Sequence, residues 1–211
     1  MKSLFSVFTA VFVLVTLCSS AGVAQESERI EYGFEDGAQG WRIPDWAFYQ
    51  KDHVATDIGI TTENASQGES SLEVMCDFPG KTWACALVEV EAQLDLSGYN
   101  TISADIYLPK KAPRDLIQAR IILTVGDGWL FTEMRTPVLL ERGKWTTVKV
   151  DIEKEDVEGI SQWKGRKEKR LFLHIHNVKK VAIRIEYDAA PPTRVGPEYN
   201  GPIYIDNIVI E

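Results

Sequence analysis

Apolar and polar residues alternate with a period of two along most of this chain. Such alternation puts successive side chains on opposite faces of a half-buried strand. In TISADIYL, Ile102, Ala104, Ile106 and Leu108 point one way, and Ser103, Asp105 and Tyr107 the other. In IQARIILTV, Ala119, Ile121, Leu123 and Val125 oppose Gln118, Arg120, Ile122 and Thr124. Val148, Val150 and Ile152 continue the pattern, as do Val181, Ile183 and Ile185 against Arg184 and Glu186. With the β-branched runs added, strands are predicted at 29–34, 54–62, 71–78, 82–90, 101–108, 117–125, 145–152, 171–175, 181–187 and 203–210. Turn residues separate them, among them Asp36-Gly37, Pro79-Gly80, Ser97-Gly98, Gly126-Asp127-Gly128 and Asn200-Gly201. No window longer than about ten residues carries a helical period. Many short strands at this spacing predict an all-β sandwich or barrel. The Pro- and Gly-rich stretch 189–201 precedes only one more strand, so it reads as a loop inside one domain.

The first residues change the picture of where the chain works. Lys2 is the only charge before Glu26, and an apolar run from Leu4 to Leu17 follows it. Small residues come next, with Gly22 and Ala24 fitting the −3 and −1 positions of a cleavage site. The apolar run is too short to span a bilayer. Residues 1–24 are therefore predicted to be a secretory signal peptide and residues 25–211 one exported domain, secreted or periplasmic. Cleavage of the 211-residue chain after Ala24 leaves 187 residues, enough for one sizeable core. The net charge of −8 becomes −9 once Lys2 is removed. An acidic chain without a basic cluster argues against nucleic acid and anionic membranes, because both need Lys and Arg to displace counterions. The run KGRKEKR at 164–170 reads as a solvated loop.

Cys76 and Cys85 remain after cleavage. Read as a hairpin turning on Gly80-Lys81, the stretch 71–90 pairs Phe78 with Trp83 and Cys76 with Cys85 on one face. A turn on Pro79-Gly80 would leave the cysteines diagonal. Both a disulfide and two buried thiols are open on this reading.

The polar strand faces carry Asp105, Tyr107, Gln118, Arg120, Arg184 and Glu186, which one sheet could present together. Sugars are held by aromatic faces stacking on the pyranose ring and by planar amides, carboxylates and guanidinium groups on hydroxyls. Trp129, just beyond Gly126-Asp127-Gly128, is the best stacking platform, with Tyr107 second. Trp41, Trp83 and Trp145 are expected in the core, and Trp46 and Trp163 on a rim. No G-x-S-x-G elbow and no phosphate loop occurs. His174 and His176 share a strand face on this reading, without a third ligand at readable spacing. No dense carboxylate set of the kind glycosidases use stands out.

Several motifs, in order, carry a family resemblance. Tyr32-Gly33-Phe34-Glu35-Asp36-Gly37 with Gly40-Trp41 resembles the opening of the galactose-binding-like jelly rolls, including carbohydrate-binding modules of bacterial glycoside hydrolases. Gly68 to Val74, Leu96 to Ile102, Arg142 to Val148 and Gly201 to Ile208 resemble their later motifs. The resemblance implies a two-sheet antiparallel jelly-roll sandwich. It also implies a structural Ca²⁺ held by Glu35, Asp206 and carbonyls of the loop 64–70, since Ca²⁺ takes six to eight hard oxygens. The expected function is a non-catalytic module that binds a polysaccharide or oligosaccharide on its concave sheet face through Asp105, Tyr107, Gln118, Arg120, Trp129 and Arg184. It would act beside a separate glycan-degrading enzyme. The alternatives are an adaptor sandwich that binds protein and a small glycan-active hydrolase or lyase. Fold alone does not choose among them.

Overall fold

The structure is a computed structural model that describes residues 29–154, 161–165, 172 and 174–211. The predicted signal peptide and its cleavage site lie outside the described residues, as do most of the basic run 164–170 and residues 171 and 173 of the predicted strand 171–175. Among the described residues no helix is long and apolar enough to cross a membrane.

Two antiparallel sheets form a sandwich, as the resemblance implied. The first contains β1 (Ile30–Tyr32), β2 (Ala55–Thr61), β3 (Ser71–Phe78), β5 (Thr101–Leu108), β9 (Lys144–Asp151) and β12 (Tyr199–Ile210), in the order β2-β3-β12-β5-β9 with β1 on β12. The second contains β4 (Ala84–Leu94), β6 (Ile117–Val125), β7 (Leu130–Met134), β8 (Val138–Leu139), β10 (Trp163–Gly165) and β11 (Val178–Tyr187), in the order β10-β7-β6-β11-β4 with β8 on β6. The chain crosses repeatedly from one sheet to the other, so sequence neighbours such as β3 and β4, β4 and β5, and β5 and β6 lie in different sheets. This is the jelly-roll layering of the galactose-binding-like fold.

The alternation in the sequence is the alternation of faces. Ile102, Ala104, Ile106 and Leu108 from one sheet meet Ile121, Leu123, Ile183 and Ile185 from the other in one continuous core, all at most 1% exposed. Each Ile or Leu among them contributes about 1.5–3 kcal/mol by leaving water. The predicted limits of β3, β5 and β6 coincide with the observed ones.

One local prediction is corrected. β3 pairs with β2 and β12, and β4 with β11, so 71–90 is a crossover between sheets and not a hairpin. Cys76 stands opposite Ala55 and Gly201, while Cys85 stands opposite Glu186. Both cysteines are buried free thiols. Burial pushes the Cys85 thiol up to about 12 and raises that of Cys76 further. His174 and His176 sit in a turn, so the predicted shared strand face does not form.

Candidate functional site

The second sheet turns its outward face to a cleft, and cross-strand register brings its side chains into rows. Cys85, Glu186, Gln118 and Leu139 form one row, and Leu87, Arg184 and Arg120 the next. Glu89, Ala182, Ile122, Glu133 and Lys164 form a third. The fourth holds Glu91, Lys180, Thr124 and Phe131.

The middle rows hold an ion-pair network. Arg120, 6% exposed, donates from Nη2 to Glu186 Oε2 at 3.0 Å and from Nη1 to the carbonyl of Met134 at 2.8 Å. Its Nε lies 2.8 Å from Glu186 Oε1. Arg184 Nη2 reaches both Glu186 Oε1 and Glu133 Oε2 at 2.6 Å. Lys164 Nζ is 3.0 Å from Glu133 Oε1, and Gln118 donates to Glu186 Oε2 at 3.1 Å. Burial pushes the Glu186 carboxyl up, but the hydrogen bonds and charges of Arg120 and Arg184 outweigh it and hold the group below its ordinary value. The carboxylate stays ionised, and the network fixes the guanidinium of Arg184 at the surface.

Aromatic rings flank this network. At one end Trp46, Trp129 and Phe131 wall a groove of about 220 Å³ floored by Leu87, Ile122 and Ala182, with Glu89 and Lys180 paired in it. The floor residues form a small apolar cluster separate from the main core. Trp129 is 56% exposed, Trp46 47% and Phe131 40%. Trp129 holds φ 49, a left-handed conformation unusual for a bulky residue, at the tip of the β6–β7 connection. Its amide bonds to the Gly126 carbonyl at 3.1 Å, and Lys180 Nζ sits 5.9 Å from the ring centre. Trp46 comes from a 3₁₀ turn, Asp45–Tyr49, that lies between the bridges Arg42–Glu89 and His53–Cys85 on the outer edge of β4. At the other end Trp83, 38% exposed, lies under the Arg184 guanidinium, which is 5.9 Å from its ring centre.

Of the six predicted sugar contacts, Gln118, Arg120, Trp129 and Arg184 meet on this face. Asp105 and Tyr107 do not, because β5 belongs to the other sheet. Asp105 accepts hydrogen bonds there from Ser66 and Thr147, both at 2.6 Å, and Tyr107 packs between Trp145 and Tyr204. Arg120 is too buried to touch a ligand and instead positions Glu186. Trp83 and Trp145, expected in the core, face outward; Trp163, expected on a rim, is 3% exposed and donates from Nε1 to the Asp151 carbonyl at 2.8 Å. Trp41 is core. Sequence reasoning missed Phe131 and Glu133 because no strand was predicted at β7, and missed Lys180. Glu89 shares parity with Cys85 and Leu87, opposite Val88 and Val90, which places it on the outer face.

The Ca²⁺ expectation at Glu35 and Asp206 meets a different geometry. Glu35 Oε1 accepts from the amides of Glu69 and Ser70, both at 2.9 Å. Asp206 Oδ2 accepts from the amides of Ser66 at 2.7 Å and Gln67 at 3.0 Å, and Oδ1 from Asn207 at 2.6 Å. The loop thus offers N–H groups, not carbonyls, to both acids. Among the described residues no cluster of three or more metal-binding side chains forms. As placed, this donor set clasps the loop and does not fit Ca²⁺.

The fold and this face define a β-sandwich of the carbohydrate-binding-module type. The chain belongs to the mannanase, galactose-binding domain-like family, whose sequence profile matches residues 32–163. No curated protein sequence matches it. Among solved structures it is similar to a family 27 module from Caldicellulosiruptor saccharolyticus in complex with mannohexaose, at 14% identity and TM-score 0.58, covering 87% of this chain and 97% of that one. It is also similar to a family 28 module specific for non-crystalline cellulose, at 17% identity and TM-score 0.55, covering 85% and 92%. A family 11 module of a Clostridium thermocellum cellulase matches at 13% identity and TM-score 0.50, covering 87% and 94%.

Proposed function

We propose that this protein is an exported, non-catalytic carbohydrate-binding domain that holds a linear mannan chain along the outward face of the second sheet. The observation that carries this reading is the set of solvent-open rings, Trp46, Trp129 and Phe131 at one end and Trp83 at the other, around a rigid polar floor. Exposed tryptophans of this size need a reason, and stacking on sugar rings supplies one. Lys180 and Arg184, which mark the two ends, are four residues apart on β11, or about 13 Å at the rise of a strand. That span takes a short run of pyranose rings. On the same face, Gln118, Arg184 and Glu133 offer donors and acceptors to hydroxyls. The manno preference is supported by the family's name and by the mannohexaose bound to the family 27 neighbour.

The non-catalytic part rests on the carboxylates. Glycoside hydrolysis needs one carboxyl protonated as the general acid. Glu186 is held ionised by two arginines, while Glu133 is ion-paired with Arg184 and Lys164 and Glu89 with Lys180. Export rests on residues 1–24, and intact mass of the exported protein beginning at Gln25 is the expected result. Electrophoresis through gels containing soluble galactomannan, xylan or β-glucan tests the binding. Retardation by galactomannan, lost in Trp129→Ala, and no new reducing ends are expected. Free migration in every gel would overturn the reading, and accumulation of reducing ends would replace it with an enzyme.

A further inference from the structure

The cleft does not end at the Gln118 row. Leu139 pairs with Gln118 across β8 and β6, is 48% exposed, and forms one wall of a second cavity of about 500 Å³. The loop 109–116 and the segment 139–142 complete it. Lys110, Arg114 and Arg142 line it, together with Asp115 and Glu141. Glu141 is already bonded to Lys144 at 2.6 Å, so the three lining cations face one other carboxylate, Asp115. On a chain of net charge −8 this is a local reversal of sign.

Two of the three cations are held in place. Arg142 Nη1 donates to the carbonyls of Lys110 at 3.4 Å and Ala112 at 3.2 Å, which directs its guanidinium into the loop. Gly143, at φ 72, lets the stem of Lys110 lie against the backbone, where a Cβ would come within 2.6 Å of Lys110 Cγ. Neither Lys110 nor Arg114 is ion-paired among the described residues. Arginine forks match carboxylates, and holding two cationic donors in advance lowers the entropy cost of gripping one.

We propose that this cavity is a subsite for a carboxylate carried by the polysaccharide, as on a uronate ring, in line with the sugars bound between the tryptophans. It rests on the cleft reading above and adds to it a preference for acid-substituted chains over neutral ones. The test is calorimetric titration of the full mature domain with a manno-oligosaccharide and with a mannuronate oligosaccharide of equal length, at low and high salt. The acidic ligand is expected to bind about tenfold tighter at low salt, the size of one well-made charged contact. Salt should shrink this ratio, and Arg114→Gln should bring it near one, with Lys110→Gln as a second variant. Equal affinities, or a ratio that survives both substitutions, overturn the subsite and leave the cleft reading intact. Binding of the acidic ligand alone supports the subsite and overturns the neutral-mannan reading. Binding of neither overturns both.

Discussion

Arg120 shows how the floor of the cleft is built, and removing it has a calculable effect. Its side chain is 8% exposed and that of Glu186 2%, so the pair is out of water. Taking away one partner of a buried pair costs about 3–5 kcal/mol, because the other charge is left uncompensated. In Arg120→Met, Glu186 keeps Arg184 and Gln118, and Glu133 keeps Arg184 and Lys164. The loss should therefore fall near the low end, about 3 kcal/mol at neutral pH. For a domain of this size that lowers the thermal midpoint by about 6–12 °C. The pH dependence has a definite sign. The folded-state value of Glu186 lies below its ordinary one, so its contribution is complete above the ordinary carboxylate range and is lost as pH falls through the lowered value. Without Arg120 the carboxyl accepts a proton more readily, so the penalty should shrink at about pH 4. Urea unfolding followed by tryptophan fluorescence, at neutral and acid pH, measures both. Arg120→Met combined with Glu186→Leu should recover most of the loss, since no buried charge is stranded. A loss under about 1 kcal/mol, or one that ignores pH, would refute the assignment of a buried, charge-matched floor.

Three further outcomes are expected. Gly68→Ala should lower stability by about 1–3 kcal/mol, because the residue holds φ 66 and the added Cβ collides with Glu35 Oε1, displacing it from the Glu69 and Ser70 amides; an unchanged thermal midpoint contradicts this. Excess EDTA should leave the thermal midpoint where it was, as an amide clasp requires; a clear fall, restored by CaCl₂, would mean that the loop 64–70 turns its carbonyls onto the ion. The mass of the mature protein should be the same with and without reductant, and Cys76 and Cys85 should react with a thiol reagent only on unfolding; rapid labelling of the native protein contradicts their burial.

Strand positions were legible because a half-buried strand writes its faces into alternate residues. That is why 71–78, 101–108 and 117–125 were read to the residue. Which sheet a strand joins is not written that way. Asp105 and Arg120 sit on equally polar strand faces, yet β5 and β6 are in opposite sheets because the chain crosses the core between them. The same crossing undid the 71–90 hairpin: Pro79-Gly80 reverses the chain, but long-range pairing with β12 and β11 decides the partners. The outward positions of Trp145 and Trp83 were readable. Trp145 shares parity with Thr147 and Lys149, and Trp83 with Cys85 and Glu89, and this parity, not motif position or a hairpin register, sets the face of each ring. Trp163 misled for the opposite reason, since a charged neighbourhood in sequence says nothing about a ring that folds under β7. Trp129 is exposed, as its place just after a Gly-rich turn at a strand tip implies.

The central claim is that the tryptophan-flanked face holds a mannan chain. Titration of the mature domain with mannohexaose, followed by tryptophan fluorescence and calorimetry in the wild type and in Trp129→Ala, tests it most directly. The account predicts saturable binding with a fluorescence change in the wild type and an affinity at least tenfold weaker in the variant, the loss of one stacked ring. A wild type that does not bind, or a variant that binds equally well, would contradict it.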